Sequence, residues 1–373
     1  MAVLKLGTQT ISPASLKEVQ VPETTWNGCY VKVFAPDTQP QQTYIGGDCP
    51  PNYIDVIIPW GGQLNEYVLA YKFRATGIKS FTAPYVTTCT NYSCTNMCQY
   101  CFRLEEFHMD ALTGFSNGNG SLTNCCNGCK RLVTASLNSV TTASSYNASN
   151  NAFMYCSSLT SKCILPKLKT VTGQYALQGF FGYCTSMTEQ EFPALESITG
   201  TYSFSTMFRD CTALKKVSFP VLTTLTGSYV FNQTWLNCSA LETVEFPELL
   251  SIGPASGSSS SSGGHFAAAF SNAGGGNISL SFPKVTRIYN GTTSSTDSYA
   301  IFYNCTGIKK LYFKSLTSID GYNTTIKNKV FTGCNNLTEI HFGSANQAAI
   351  EADSGYSTLW GRGAGNATVY FDL

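Results

Sequence analysis

The chain has 373 residues, of which 43% are hydrophobic and only 12% charged, with a formal net charge of +1. The charged share is about half that of an ordinary soluble domain, and without a basic run or an acidic tail the chain lacks the electrostatic footprint of a nucleic-acid or anionic-membrane binder. No stretch reaches the roughly 18 continuous apolar residues of a membrane-spanning helix, so membrane insertion is not expected, and the opening residues carry neither the apolar core nor the cleavage site of a signal peptide.

In chain order, residues 1 to 65 hold three strand-like runs, Val3 to Leu6, Tyr30 to Phe34 and Tyr53 to Trp60. Between them lie Asn27-Gly28, Pro36-Asp37, Gly46-Gly47-Asp48 and Pro50-Pro51, residue types that reverse a chain. This predicts a small N-terminal β region, which either caps the rest of the chain or docks it onto a larger assembly.

From about residue 66 one pattern returns every 27 to 28 residues. In the copy Met207 to Leu225 the apolar slots are Phe208, Cys211, Leu214, Val217, Phe219, Leu222 and Leu225, a spacing that suits neither a long helix nor an isolated hairpin. Anchored on the Cys211 slot, the copies fall at Ala75, Cys101, Cys129, Cys156, Cys184, Cys211, Cys238, Ala273, Cys305 and Cys334, giving ten coils. Three residues before the anchor stands an aromatic ring in seven of them (Phe153, Phe181, Phe208, Trp235, Phe270, Phe302 and Phe331). The run Leu214 to Phe219 has strand periodicity at its end, and Pro220, with no N–H for a ladder, stops it. So short a unit cannot bury its own apolar edge and must stack on its neighbours. The expected fold is a mainly β solenoid with little helix, one parallel sheet of about ten strands roughly 45 Å long. Between Gly253 and Gly264 a Ser/Gly-rich insertion accounts for the longest step and reads as a mobile loop. Ser344 to Ser354 can form a short helix and Ala367 to Phe371 a last strand, together closing the far end; residues 66 to 373 thus form one unit.

The motif Phe-x-x-Cys-x-x-Leu-x-x-Val-x-Phe-Pro-x-Leu resembles the BspA-type leucine-rich repeat of bacterial surface and secreted proteins, over about residues 66 to 345. The general leucine-rich repeat carries its Asn or Cys after the strand; here the cysteine precedes it, as in that subfamily. The resemblance implies a right-handed solenoid with little helix and an adhesive or recognition surface, and it names no ligand; the expected function is binding of a protein or a glycan on a cell surface or phage tail. The opening Leu4-Lys5-Leu6-Gly7, followed by Thr and Ile, is similar to the start of some tail proteins of gut bacteriophages and implies a short hairpin. A structural tail or virion component with the repeats as spacer is the alternative function.

Sixteen cysteines suggest a disulfide framework, but Cys101, Cys129, Cys156, Cys184, Cys211, Cys238, Cys305 and Cys334 share the anchor slot. They read as a buried ladder of free thiols, where a small apolar side chain fits a tight turn. Cys98-x-x-Cys101 and Cys126-x-x-Cys129 have zinc-ribbon spacing. Cys98 and Cys126, however, occupy the slot that other coils fill with Phe or Trp, so packing explains them and no metal is expected. His108, His265 and His341 belong to no nucleophile or metal motif, and Gly274-Gly275-Gly276 does not follow a strand as a phosphate loop would. A non-enzymatic chain without cofactor is expected. The candidate binding surface is the outward side of the strands: Glu105, Glu106, His108, Glu189, Glu191, Lys215, Lys216, Glu242, Glu245, Lys309, Lys310 and Tyr312.

Overall fold

The computed structural model describes residues 4–6, 9–11, 54–58, 62–67, 69–71, 73–115, 118–253, 263–290, 300–321, 329–357 and 367–373. The runs around Tyr30 to Phe34, the turn clusters from Asn27 to Pro51 and nearly all of the Ser/Gly insertion lie outside these residues.

Each coil turns three times around one core. Its first side is the expected strand: Glu189–Glu191, Lys216–Ser218 and Thr243–Glu245 pair in parallel register, Gln190 against Val217 against Val244. Their inward neighbours Val217 and Val244 are buried, and Pro193, Pro220 and Pro247 lie in the turns beyond. After the proline comes a second, shorter ladder that the sequence pattern did not separate. Gly114–Phe115, Thr142–Ala143, Thr170–Val171, Ser197–Ile198 and Thr224–Leu225 pair in parallel along five consecutive coils. The expectation of a single sheet is therefore corrected: two parallel ladders share each coil, because Leu222 and Leu225 both point into the core and bend the chain after the proline.

The third side is a ribbon of turns. Over 202–211 alternate N–H groups bond within the coil and along the stack: Cys211 N–H reaches Phe208 O three residues back, while Asp210 N–H reaches Leu236 O of the next coil. Every fourth residue then has a positive φ, as at Tyr202 (55°), Thr206 (54°) and Asp210 (58°). Such a φ costs a residue with a Cβ roughly 1–2 kcal/mol. Two sets of hydrogen bonds offset that, and so do ring stacks between coils such as Tyr175–Tyr202 (5.3 Å) and Tyr202–Tyr229 (4.7 Å).

The core is a set of columns. Phe192, Phe219, Phe246, Phe282, Phe313, Phe342 and Phe371 stack in turn at 5.1 to 6.1 Å. The aromatic slot ahead of the anchor stacks Phe181 on Phe208 and Phe208 on Trp235. Among the described residues helix is confined to single turns, such as Gln347–Glu351 beside the expected last strand, Thr368–Phe371, which pairs in parallel with Glu339–Phe342.

Three features differ from the sequence reading. The ladder begins earlier: Ile54–Ile57 pairs with Ile78–Thr82, and Gly62–Leu64 with Val86–Cys89. The stack thus reaches into the segment 1–65. Second, Thr76 and not Ala75 fills the anchor slot, since Ala75 N–H bonds to Gln99 O and Ala75 lies beside Tyr100, exposed, while Thr76 is buried beside Cys101. Third, the 32-residue step before Cys305 holds one extra four-residue unit of the turn ribbon. Phe270 and Ala273 face back to Trp235 and Cys238, whereas the next coil bonds to Phe266 and Ala268. Gly274–Gly276 absorbs the excess as a short 3-10 turn. Leu4–Leu6 and Gln9–Ile11 form the expected antiparallel hairpin.

Candidate functional site

The thiol ladder is a built feature of the core. Each anchor N–H bonds to the carbonyl three residues back, as Cys184 does to Phe181 O at 3.1 Å. The same carbonyl accepts the thiol of the next coil, here Cys211 Sγ–H at 3.1 Å. The pattern repeats at Cys129 to Cys98 O, Cys156 to Cys126 O, Cys184 to Phe153 O, Cys238 to Phe208 O and Cys334 to Phe302 O. Cys101 bonds to Phe73 O, which Thr76 also uses, and Cys305 reaches Phe266 O across the register shift. A donor, small size and an apolar surface are needed together, which is why cysteine recurs. All described cysteines are free thiols, and all but Cys163 are buried. Burial pushes Cys156, Cys184 and Cys238 well above the ordinary thiol value, and Cys211 up to about 12.

Cys98, Cys101, Cys126 and Cys129 come together between adjacent coils, fully buried, with the Cys101 and Cys129 thiols turned to carbonyls. Among the described residues no group of three or more His, Cys, Asp or Glu is arranged to hold a metal ion.

The expected binding residues lie on the outside of the first ladder, largely paired with one another. Lys79 meets Glu105 at 3.5 Å and Lys162 meets Glu189 at 3.1 Å. Lys215 meets Glu242 at 3.7 Å, and Lys216 meets Glu245 at 2.8 Å. Glu245 holds the Lys216 ammonium above its ordinary value by hydrogen bond and charge. Lys309 donates to Asn277 Oδ1, Glu106 lies 3.9 Å from His108, and His108 Nδ1 is 2.7 Å from Ser136 Oγ. Glu191 is exposed. At the C-terminal end Tyr312, His341 and Tyr370 stack with ring centres 4.6 Å apart. His341 contacts Asp372 (2.9 Å) through Nδ1 and Glu339 (3.1 Å) through Nε2, and Glu339 also pairs with Lys310 at 2.9 Å. Lys310 and His341 hold the Glu339 carboxyl below its ordinary value.

The sequence reading missed the outer rim of the turn ribbon. Tyr67, Tyr71, Tyr92, Tyr100 and Phe102 are 37 to 53% exposed, all in the first coils. Spacing marks the same ribbon only in later coils, where Thr-Gly-x-Tyr recurs at Thr172 to Tyr175, Thr199 to Tyr202 and Thr226 to Tyr229 and the rings are less exposed.

With this geometry in view, the family model for the BspA type leucine rich repeat region matches residues 134–261 and 298–354 in six copies. The repeats of this chain are BspA-type leucine-rich repeats. Among solved structures, a leucine-rich repeat protein from Bacteroides ovatus is similar, with 18% identity and a TM-score of 0.38 over 74% of this chain. This chain spans 65% of that protein's length. A leucine rich cell surface protein from Faecalibacterium prausnitzii is 16% identical, with a TM-score of 0.29, over 80% of this chain and 87% of that one. No curated protein matches. No helix among the described residues is long and apolar enough to cross a membrane.

Proposed function

We propose that the chain is a non-enzymatic recognition module that holds a protein or glycan on the outside of its repeats, displayed on a cell surface or virion. The observation that carries this reading is the rigid stack itself. Both ladders and the turn ribbon are hydrogen-bonded coil to coil, so outward side chains from many coils keep a fixed register and need no ordering on binding. The turn rim of the first coils presents exposed aromatic rings. The alternative, a tail or virion component that uses the repeats for length and residues 1–65 for docking, is supported by the Leu4–Leu6 and Gln9–Ile11 hairpin. Fluorescently labelled full-length chain incubated with bacterial and epithelial cells distinguishes them. Saturable binding, competed by unlabelled chain, supports recognition. Binding no greater than that of albumin, together with assembly of the chain into particles, establishes the spacer role instead.

A further inference from the structure

On the turn rim of the first coils, charge and aromatic surface coincide. The Arg74 guanidinium lies over the Tyr71 ring at 5.9 Å and over the Tyr100 ring at 5.7 Å. Its Nε–H has no hydrogen-bond acceptor among the described residues, and the two rings flank it. Tyr100 has Phe102 6.3 Å away, and its ring lies over Gly128, where a Cβ would come within 2.5 Å of the ring edge. Two and three residues past that glycine are Lys130 and Arg131, both exposed and in the coil positions that Phe102 and Arg103 hold one coil earlier. Of the carboxylates in this region, Glu105 pairs with Lys79, Glu106 lies beside His108 and Asp110 accepts from the Asn138 N–H, while Glu66 is exposed beside Tyr67. No carboxylate of the described residues pairs with Arg74, Lys130 or Arg131. Three cations without counter-ions thus border three exposed rings, in a chain whose strand-face lysines are mostly paired.

The geometry points to an acidic glycan as the ligand of this rim, docked across Tyr71, Arg74, Tyr100, Phe102, Lys130 and Arg131; this rests on the recognition reading above. Complementary charge supplies the first argument, since three uncompensated cations call for carboxylates on the partner. Ring chemistry supplies the second: the C–H face of a pyranose carries partial positive charge and packs on the negative face of an aromatic ring. An extended acidic peptide fits less well. Peptides usually gain affinity by adding a strand to an open edge or by filling a groove, and here the strands Ile78–Thr82, Glu106–His108 and Thr134–Ser136 and the ribbon beside them are already bonded coil to coil.

The test uses full-length chain in biolayer interferometry with three probes: polygalacturonate, neutral dextran and poly-glutamate. The expected result is binding of polygalacturonate that weakens as salt is raised from 50 to 300 mM, with none to dextran. Phe102→Ala and the double variant Lys130→Gln/Arg131→Gln should each weaken it at least tenfold while leaving the melting temperature unchanged. The proposal is overturned if polygalacturonate does not bind, or if both variants bind like the parent. It is also overturned if poly-glutamate binds as tightly and with the same dependence on Phe102, which would make the ligand an acidic peptide. Cell binding retained without polygalacturonate binding removes this proposal and leaves the recognition reading standing. Polygalacturonate binding without cell binding supports this proposal and removes only the display of such a ligand on the cells used.

Discussion

At the Cys211 slot, one carbonyl serves two coils: Phe181 O accepts the Cys184 N–H and the Cys211 thiol. Because the carbonyl keeps one donor when the thiol is lost, Cys211→Ala should cost only about 1 kcal/mol. Cys211→Leu overfills the turn and should cost about 1–3 kcal/mol; urea unfolding of both variants measures the difference. The thiols also set an alkaline limit. The folded values of Cys156, Cys184, Cys211 and Cys238 lie above that of an unfolded thiol, so between pH 9 and about 12 the unfolded chain loses protons that the folded chain keeps, and stability falls as pH rises through that window. A melting temperature that stays level from pH 8 to 10.5 contradicts this. His265 sets an acid limit. It is fully buried, and burial, opposed only by the Gly227 backbone, lowers it to about 4. Here the unfolded state takes up the proton first, so stability is lost as pH falls from about 6.5 to 4, by about 3 kcal/mol. His265→Phe should flatten that acid limb in a melting series, and an unchanged limb would assign it to other groups. The recurring cysteine was legible because its spacing repeats. Thr76 was not, because counting residues does not tell which of two neighbours points inward when a step shortens by one. The burial of His265 was hidden for a related reason: one histidine beside a Ser/Gly-rich insertion carries no period.

Among the elements, the strand before each proline was readable from Leu-x-x-Val-x-Phe, whereas the second ladder was not. Its strands are mostly two residues long, too short for a period of two to show. The turn ribbon is further from local preference, since it sets tyrosines at positive φ where only the hydrogen bonds of neighbouring coils make that conformation favourable. Its entry is fixed by glycines. A Cβ on Gly200 would lie 2.2 Å from Gly173 O, and one on Gly227 2.5 Å from Gly200 O, so Gly173, Gly200 and Gly227 form a column through which the coils approach. Gly200→Ala should therefore push two coils apart and cost about 3 kcal/mol, the high end for overpacking, because backbone cannot yield as a side chain does. Gly275→Ala serves as the contrast, since only the Asn277 side chain, at 3.8 Å, lies near it. Although its φ of 59° carries its own strain, no neighbouring coil is displaced. Equal losses for the two in calorimetry would remove the close-approach argument.

For the whole molecule, the closing of the two ends decides how the stack behaves. At the far end Thr368–Phe371 continues the ladder, Phe371 packs on Phe342, and Asp372 reaches His341; that closure was legible because Ala367 to Phe371 reads as a strand. At the near end the expected strand run Tyr53 to Trp60 overlaps a strand that pairs in parallel with the first full coil, but the segment from Ile54 lacks the cysteine and aromatic slots by which the repeats were recognised, so its place in the ladder was not legible. A mount cut away at residue 65 would take two of those strands with it. A chain starting at residue 66 leaves Ile78–Thr82 and Val86–Cys89 as open edges, and unpaired edges recruit other chains. That version should melt lower than a chain starting at residue 53 and elute from gel filtration as higher oligomers at micromolar concentration. The version starting at 53 keeps both pairings, so it should stay monodisperse and retain any binding that belongs to the turn rim. If both truncations behave alike, the strands before residue 65 contribute nothing to the stack and the first coil is stable as an end.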